Sequence, residues 1–171
     1  LRKIYNNKKK YGFSSIGKRK KINIEFVSAN PTGPLHIGHL RGAIFGDVLS
    51  RLLSKNGFDV TKEYYINDLG VQVDNLAQTI NHHIENRLHK MEKPLLESMY
   101  KGVYLKKIAD IYLEDKAFDY KDFSRLKEFA VKSNLDLIKK DLKHIGVNFN
   151  SYVSEKEIHE TGQVNKTINL L

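Results

Sequence analysis

Residues 28 to 42 read SANPTGPLHIGHLRG. Turn residues come first, Asn30-Pro31-Thr32-Gly33-Pro34. Two histidines three apart, His36 and His39, then flank Gly38 at the start of an apolar segment. Upstream, residues 22–28 (INIEFVS) alternate Ile22, Ile24, Phe26 and Ser28 against Asn23, Glu25 and Val27, which predicts a strand. Downstream, Leu40, Ile44, Phe45, Val48, Leu49, Leu52 and Leu53 recur with the helical period, and Gly57 supplies a stop. Residues 58–67 (FDVTKEYYIN) predict a second strand. Strand, helix and strand with short connections make the βαβ unit of a parallel sheet.

A strand, a Gly and Pro turn and a helix N-terminus form an arrangement that binds phosphate, because the first helical turn carries unpaired N–H groups and the positive end of the dipole. Ligands of open α/β sheets bind at that edge. His36 and His39 share one face of the first turn, where two imidazoles can donate hydrogen bonds to phosphoryl oxygens as charge builds on them. A zinc site is the competing use of paired histidines. The protease form needs a spacing of four and an intervening Glu, and His-Ile-Gly-His has neither. Gly38, Gly42 and Gly46 are spaced by four along the same helix, each at about 1 kcal/mol relative to Ala. A close neighbour, either a ligand ring or packed backbone, is expected to offset that cost. Arg41, Asp47 and Arg51 in the same helix argue against a membrane seam.

The rest of the chain predicts a helix from Leu69 to Leu88 with Asp68 as its N-cap, and helical stretches near 104–113 and 122–142. A charged, less regular segment at 115–121 joins those two stretches, and a short strand is expected within 147–153. Ile158, Val164, Ile168 and Leu171 give a helical pattern that runs to the last residue. With Leu1 in place of Met at the other end, a fragment of something longer is expected. His82, His83, His89, His144 and His159 stand in polar text and are expected at the surface.

At 171 residues the chain has room for one domain with a sizeable core. The net charge of +9 is local: residues 1–21 hold nine Lys or Arg and no acid, leaving 20 basic and 20 acidic residues over the other 150. A basic arm on a neutral body suits a phosphate-rich partner, and a solvated linker is the plainer alternative. There is no cysteine, so disulfides, thiolate zinc sites and cysteine nucleophiles are excluded. The apolar runs are too short for a membrane span and the basic N-terminus has no signal-peptide core, so a cytoplasmic protein is expected.

His36-Ile37-Gly38-His39 resembles the HIGH signature of class I aminoacyl-tRNA synthetases and related nucleotidyl transferases. The text around it is more specific. Residues 24–34 (IEFVSANPTGP) leading into HIGH, Arg41-Gly42 after it, and residues 63–68 (EYYIND) resemble arginyl-tRNA synthetase of the bacterial type. Weaker similarity continues through residues 100–104 and 140–142 to 153–155 and 160–162. The resemblance implies an α/β fold: a Rossmann-type parallel sheet, the HUP-like nucleotidyl transferase half-domain, with inserted or appended helices. On that basis residues 1–21 are a basic arm trailing from an N-terminal domain, and 22–171 are the first half of a catalytic domain. The implied reaction is ATP-dependent activation of L-arginine to arginyl-adenylate, followed by transfer to tRNA(Arg). Mg²⁺ enters with ATP, and no tightly bound cofactor is expected.

The same resemblance assigns His36 and His39 to the α-phosphate region and Gly38 to close approach of the nucleotide. Ser28, Ala29 and Asn30 hold the amino acid with His39, and Glu25 is a further position for the guanidinium, which a carboxylate suits. The family's KMSKS-type loop is absent from the 171 residues. Pro34 stands where some relatives lacking its lysine carry a compensating Lys. The isolated chain is therefore expected to be inactive. Two alternatives share parts of the pattern: another H-x-G-H nucleotidyl transferase, and a non-catalytic nucleic-acid-binding module carried by the basic arm.

Overall fold

The computed structural model describes residues 1–114, 119 and 121–171, so the expected irregular segment at 115–121 lies mostly outside the described residues. The elements in chain order are α1 (Arg2–Asn7), a 3-10 turn (Lys8–Lys10), β1 (Lys21–Glu25), α2 (Ile37–Lys55), β2 (Asp59–Ile66), α3 (Val71–Leu88), α4 (Val103–Glu114), α5 (Phe123–His144), β3 (Ser151–Ser154), α6 (Glu155–Glu160) and α7 (Gln163–Ile168). They form two compact units. One comprises Leu1–Ser28, His36–Tyr65 and Leu142–Val153, and the other comprises Ala29–Leu35, Ile66–Asp141 and Ser154–Leu171.

The first unit holds the sheet, in the order β1-β2-β3. β1 and β2 run parallel from Lys21 opposite Asp59 to Glu25 opposite Glu63, with α2 as the crossover between them. Strand β1 stops at Glu25 because the chain leaves the extended region two residues later. Val27 has φ 68° and Ser28 φ 41°, a left-handed pair that a β-branched residue adopts only under strain.

Helix α2 carries its large apolar side chains on the exposed face. Ile44, Phe45, Val48 and Leu52 are all about half exposed or more, while Ala43, Gly46, Asp47 and Ser50 are buried. The short side chains let the helix approach closely enough for Gly46 to face the ring of Phe26. Phe26 lies 4.5 Å from Phe149, and Phe149 continues to Tyr64 and Tyr152, so aromatic rings fill this core. The buried carboxylate of Asp47 is paired twice, with Arg51 at 2.6 Å and Lys62 at 3.1 Å, which meets the requirement that a buried charge be compensated.

Residues 14–20 of the basic arm are tied down. Ser14 donates its N–H to Lys55, Gly17 to Asn56 and Arg19 to Gly57, all backbone carbonyls at the turn after α2. Among the described residues the segment before Ser14 has no such ties, so residues 14–20, about a third of the expected arm, are an integral edge of this unit.

In the second unit, α3, α4 and α5 enclose a core of Leu76, Ile80, Ile84, Leu105, Ile108, Ala109, Tyr112, Leu126 and Ala130. The spacings of three and four put each set on one helical face, and each buried Leu or Ile contributes roughly 1.5–3 kcal/mol. The expected cap of α3 is corrected here. Gly70 occupies that N-cap with no side-chain hydrogen bond, and Asp68 serves α6 instead. Its carboxylate accepts from the Ser154 hydroxyl at 2.6 Å and from the Lys156 N–H at 2.9 Å, while Ser154 Oγ accepts from the Glu157 N–H. A charge at a helix N-terminus with two donors is a strong arrangement. Asp68→Ala is expected to lower stability by about 1–3 kcal/mol and to release the α6 amides to hydrogen exchange. Unchanged protection at Lys156 and Glu157 would contradict that role.

The unbroken C-terminal helix is also corrected. Gly162, in the left-handed conformation at φ 70°, separates α6 from α7. His83 departs from the expected surface position as well: its Nε2 is buried with no hydrogen-bond partner among the described residues, and burial pushes its pKa down, with His82 and Lys106 adding to the effect against an opposing pull from Asp110.

Candidate active site

His36 is the N-cap of α2, in an extended conformation that frees its side chain to fold over the helix end. Its Nδ1 accepts the N–H of Gly38 at 3.1 Å, and the Nδ1 of His39 accepts the N–H of His36 at 3.3 Å. The two rings stack with centroids 3.7 Å apart at 24°. This is a reciprocal capping box built from imidazoles in place of Ser and Glu. It explains why two histidines stand three apart with a glycine before the second. A Cβ at Gly38 would lie 2.9 Å from His36 Cε1, so the space that glycine leaves is taken by the ring that caps its own N–H.

The box also fixes the chemistry of the pair. Each Nδ1 is committed as an acceptor, so each neutral ring carries its proton on Nε2. Both distal N–H groups are thereby left as donors at the positive end of a 19-residue helix. The same commitment takes away the Nδ1 lone pairs a metal ion would need.

The pKa of His39 is lowered, first by burial and then by the charge of His36. Such a group holds fewer protons folded than unfolded, so its contribution to stability is present above the usual histidine pKa of about 6.5 and is lost as pH falls through the lower folded value. His39 is expected to titrate below about 6.5 by NMR, and His36→Asn should move it part of the way back. No movement in that variant would show that the two rings are uncoupled.

Glu25 and Ser28 meet at the end of β1. The left-handed turn at Val27 and Ser28 folds the hydroxyl back to donate to the Glu25 carboxylate, and the Tyr65 N–H donates to the same hydroxyl at 3.0 Å. Ala29 and Asn30 belong to the second unit. There Ala29 is buried, and Asn30 Nδ2 donates to Gln72 Oε1 at 2.6 Å. The Tyr104 hydroxyl donates to the Thr32 carbonyl at 2.8 Å, and its ring fills the space over Gly33. Sequence reasoning missed Tyr65, Gln72 and Tyr104. Each reaches its partner across 37 to 72 residues of chain, a separation at which local pattern carries no signal.

Residues 1–166 match the family described as tRNA synthetases class I (R), catalytic domain. The chain belongs to this family. Among its relatives, the arginine–tRNA ligase of Rickettsia bellii is 41% identical over 177 residues, covering 100% of this chain and 31% of that protein. The arginine–tRNA ligase of Anaplasma marginale is 43% identical over 175 residues, with 100% and 30% covered. The chain thus spans less than a third of the length of these class I relatives. A Campylobacter jejuni crystal structure described as an arginyl-tRNA synthetase superposes with a TM-score of 0.84 at 33% identity, over 97% of this chain and 37% of that one. The Thermus thermophilus arginyl-tRNA synthetase superposes at 0.56 and 20% identity over 88% of this chain and 26% of its own, which shows the fold alone. The Rossmann-type class expected from the HIGH text is the class the family and these structures have.

Proposed function

We propose that this chain is the HIGH-bearing portion of an arginine–tRNA ligase, which activates L-arginine with ATP and transfers it to tRNA(Arg). The observation that carries the reading is the imidazole capping box, which leaves two Nε2–H donors side by side at a helix N-terminus. In-line attack of the arginine carboxylate on the α-phosphate builds negative charge on the phosphoryl oxygens, and two preorganised donors stabilise that charge without reorganising. His36 and His39 take this role, and the Gly38 backbone lies beside the nucleotide. Ser28, Ala29, Asn30 and His39 hold the amino acid. Glu25, oriented by Ser28, supplies the anion that a guanidinium requires. Mg²⁺ arrives as the counterion of ATP and belongs to the substrate complex. On this reading residues 1–21 trail from a preceding domain, 22–171 begin the catalytic domain, and the protein works in the cytoplasm. Among the described residues no helix is long and apolar enough to cross a membrane.

The chain by itself is expected to give no arginine-dependent ATP–pyrophosphate exchange, because charge stabilisation on the pyrophosphate side is missing. Joined in frame to the remaining part of the Rickettsia bellii ligase, it is expected to recover exchange that depends on arginine. A folded fusion whose exchange depends on a different amino acid, or that shows none, would contradict the reading.

A further inference from the structure

A cleft of 680 Å³ in the second unit is lined by none of the residues discussed as catalytic. It is formed by the end of α3, the segment that follows it, and α4. The Asn86 side chain fixes that segment: Nδ2 donates to the Lys93 carbonyl at 3.2 Å, Oδ1 accepts the Lys93 N–H at 3.3 Å, and the Asn86 carbonyl accepts from Met91 at 3.0 Å. His82 Nε2 lies 2.9 Å from the same Lys93 carbonyl, and Lys90 turns the chain in a left-handed conformation at φ 51°. The backbone that presents Lys90 and Lys93 is therefore built and held, while both side chains stay exposed.

Lys106 of α4 completes a set of three ammonium groups lining the cleft. Arg87 is paired with Asp110 at 3.5 Å, so these two charges offset one another. None of the three lysines lies within 4 Å of a carboxylate among the described residues, and Glu92 is the other acid on the wall. The wall also holds the buried His83 Nε2, which has no hydrogen-bond partner among the described residues. Among the described residues the lining has no Phe, Tyr or Trp on which a base could stack.

We propose that this cleft binds phosphate groups of an RNA backbone. Lysines with no carboxylate partner among the described residues, held on a fixed backbone, neutralise phosphates and release counterions, and a described lining without a stacking platform makes the contact independent of base sequence. The site does not depend on the arginine-activation reading, whose readout is ATP binding at the histidine pair.

The test is fluorescence anisotropy of the purified chain with a labelled RNA hairpin, across a salt series, in a background carrying Lys8→Gln, Lys9→Gln and Lys10→Gln to remove the free arm. Adding Lys90→Glu, Lys93→Glu and Lys106→Glu is expected to weaken binding at least tenfold and to make the log-log salt slope shallower by about 2 to 3, the value for three lost phosphate contacts. The charge-matched variant Lys101→Glu, Lys132→Glu, Lys166→Glu is expected to change affinity by no more than about twofold. All six lysines are exposed, so circular dichroism should be unchanged. A second hairpin of scrambled sequence should bind equally. No RNA binding by the parent, an equal loss in the charge-matched variant, or binding of free pyrophosphate with no effect of the cleft substitutions on RNA would each overturn the proposal.

Discussion

Replacing His36 by Asn is expected to leave stability within about 0.5 kcal/mol of the parent and to weaken ATP binding at least tenfold, whereas His36→Ala loses both. The separation follows from the two nitrogens of the ring. Nδ1 caps the helix by accepting from Gly38, a task that Asn performs as well as any residue, while Nε2–H is the distal donor that Asn cannot supply. Ala supplies neither, and removal of the cap adds about 1 kcal/mol of lost stability. A hydrogen bond to a charged oxygen contributes about 1.5–3 kcal/mol, which is the source of the tenfold figure. Calorimetric titration with ATP and urea denaturation on the same three proteins separate the outcomes. An Asn variant that is as unstable as the Ala variant would remove the capping role, and one that binds ATP as tightly as the parent would remove the donor role.

Gly46→Ala and Gly42→Ala are expected to shift stability in opposite directions although they change the same residue type one helical turn apart. A Cβ at Gly46 would stand 2.2 Å from Phe26 Cγ and 2.3 Å from Cδ2. Phe26 has no easy retreat, because its ring is packed against Phe149 and, through it, the Tyr64 and Tyr152 rings. Helix propensity favours Ala by about 1 kcal/mol, and overpacking of a filled core costs about 1–3 kcal/mol or more. With backbone and rings both forced to move, a net loss of about 2 kcal/mol is expected at Gly46. At Gly42 nothing lies within 4 Å of the added methyl group, so the propensity term stands alone and a gain of about 0.4–1 kcal/mol follows. Chemical denaturation of the two variants decides it. Equal effects at the two positions would mean that Phe26 does not pack over Gly46.

The order of elements was legible in the sequence because each helix and strand carries its own period. Residues 58–67 read as a strand and 59–66 form one; the stretch around Leu69 to Leu88 read as a helix and Val71–Leu88 form one. The turn chemistry of residues 30–34 and the stop at Gly57 were equally local. Which face of α2 turns inward was not legible. Burial of Ala43, Gly46, Asp47 and Ser50 depends on how closely a helix approaches a sheet, and the larger residues opposite them carry the periodic signal. Strand β1 ends early at Glu25, two residues before a Val with positive φ, a conformation that no residue preference announces. Asp68 has the right residue type for a cap, but the helix it caps begins 87 positions further on at Glu155. At the candidate site, the histidine pair and the Glu25 and Ser28 pair were visible as neighbours in sequence. Their tautomer and hydrogen bonds were not, because these depend on atoms that spacing does not specify.

The most direct measurement is a long-range ¹H–¹⁵N NMR spectrum of the imidazoles, recorded at neutral pH before and after addition of ATP with Mg²⁺. His36 and His39 are expected to show unprotonated Nδ1 and protonated Nε2, with both Nε2 resonances moving as nucleotide is added. Protonated Nδ1 on both rings, or Nε2 resonances that stay still while ATP saturates the chain, would contradict a capping box that holds two phosphate donors.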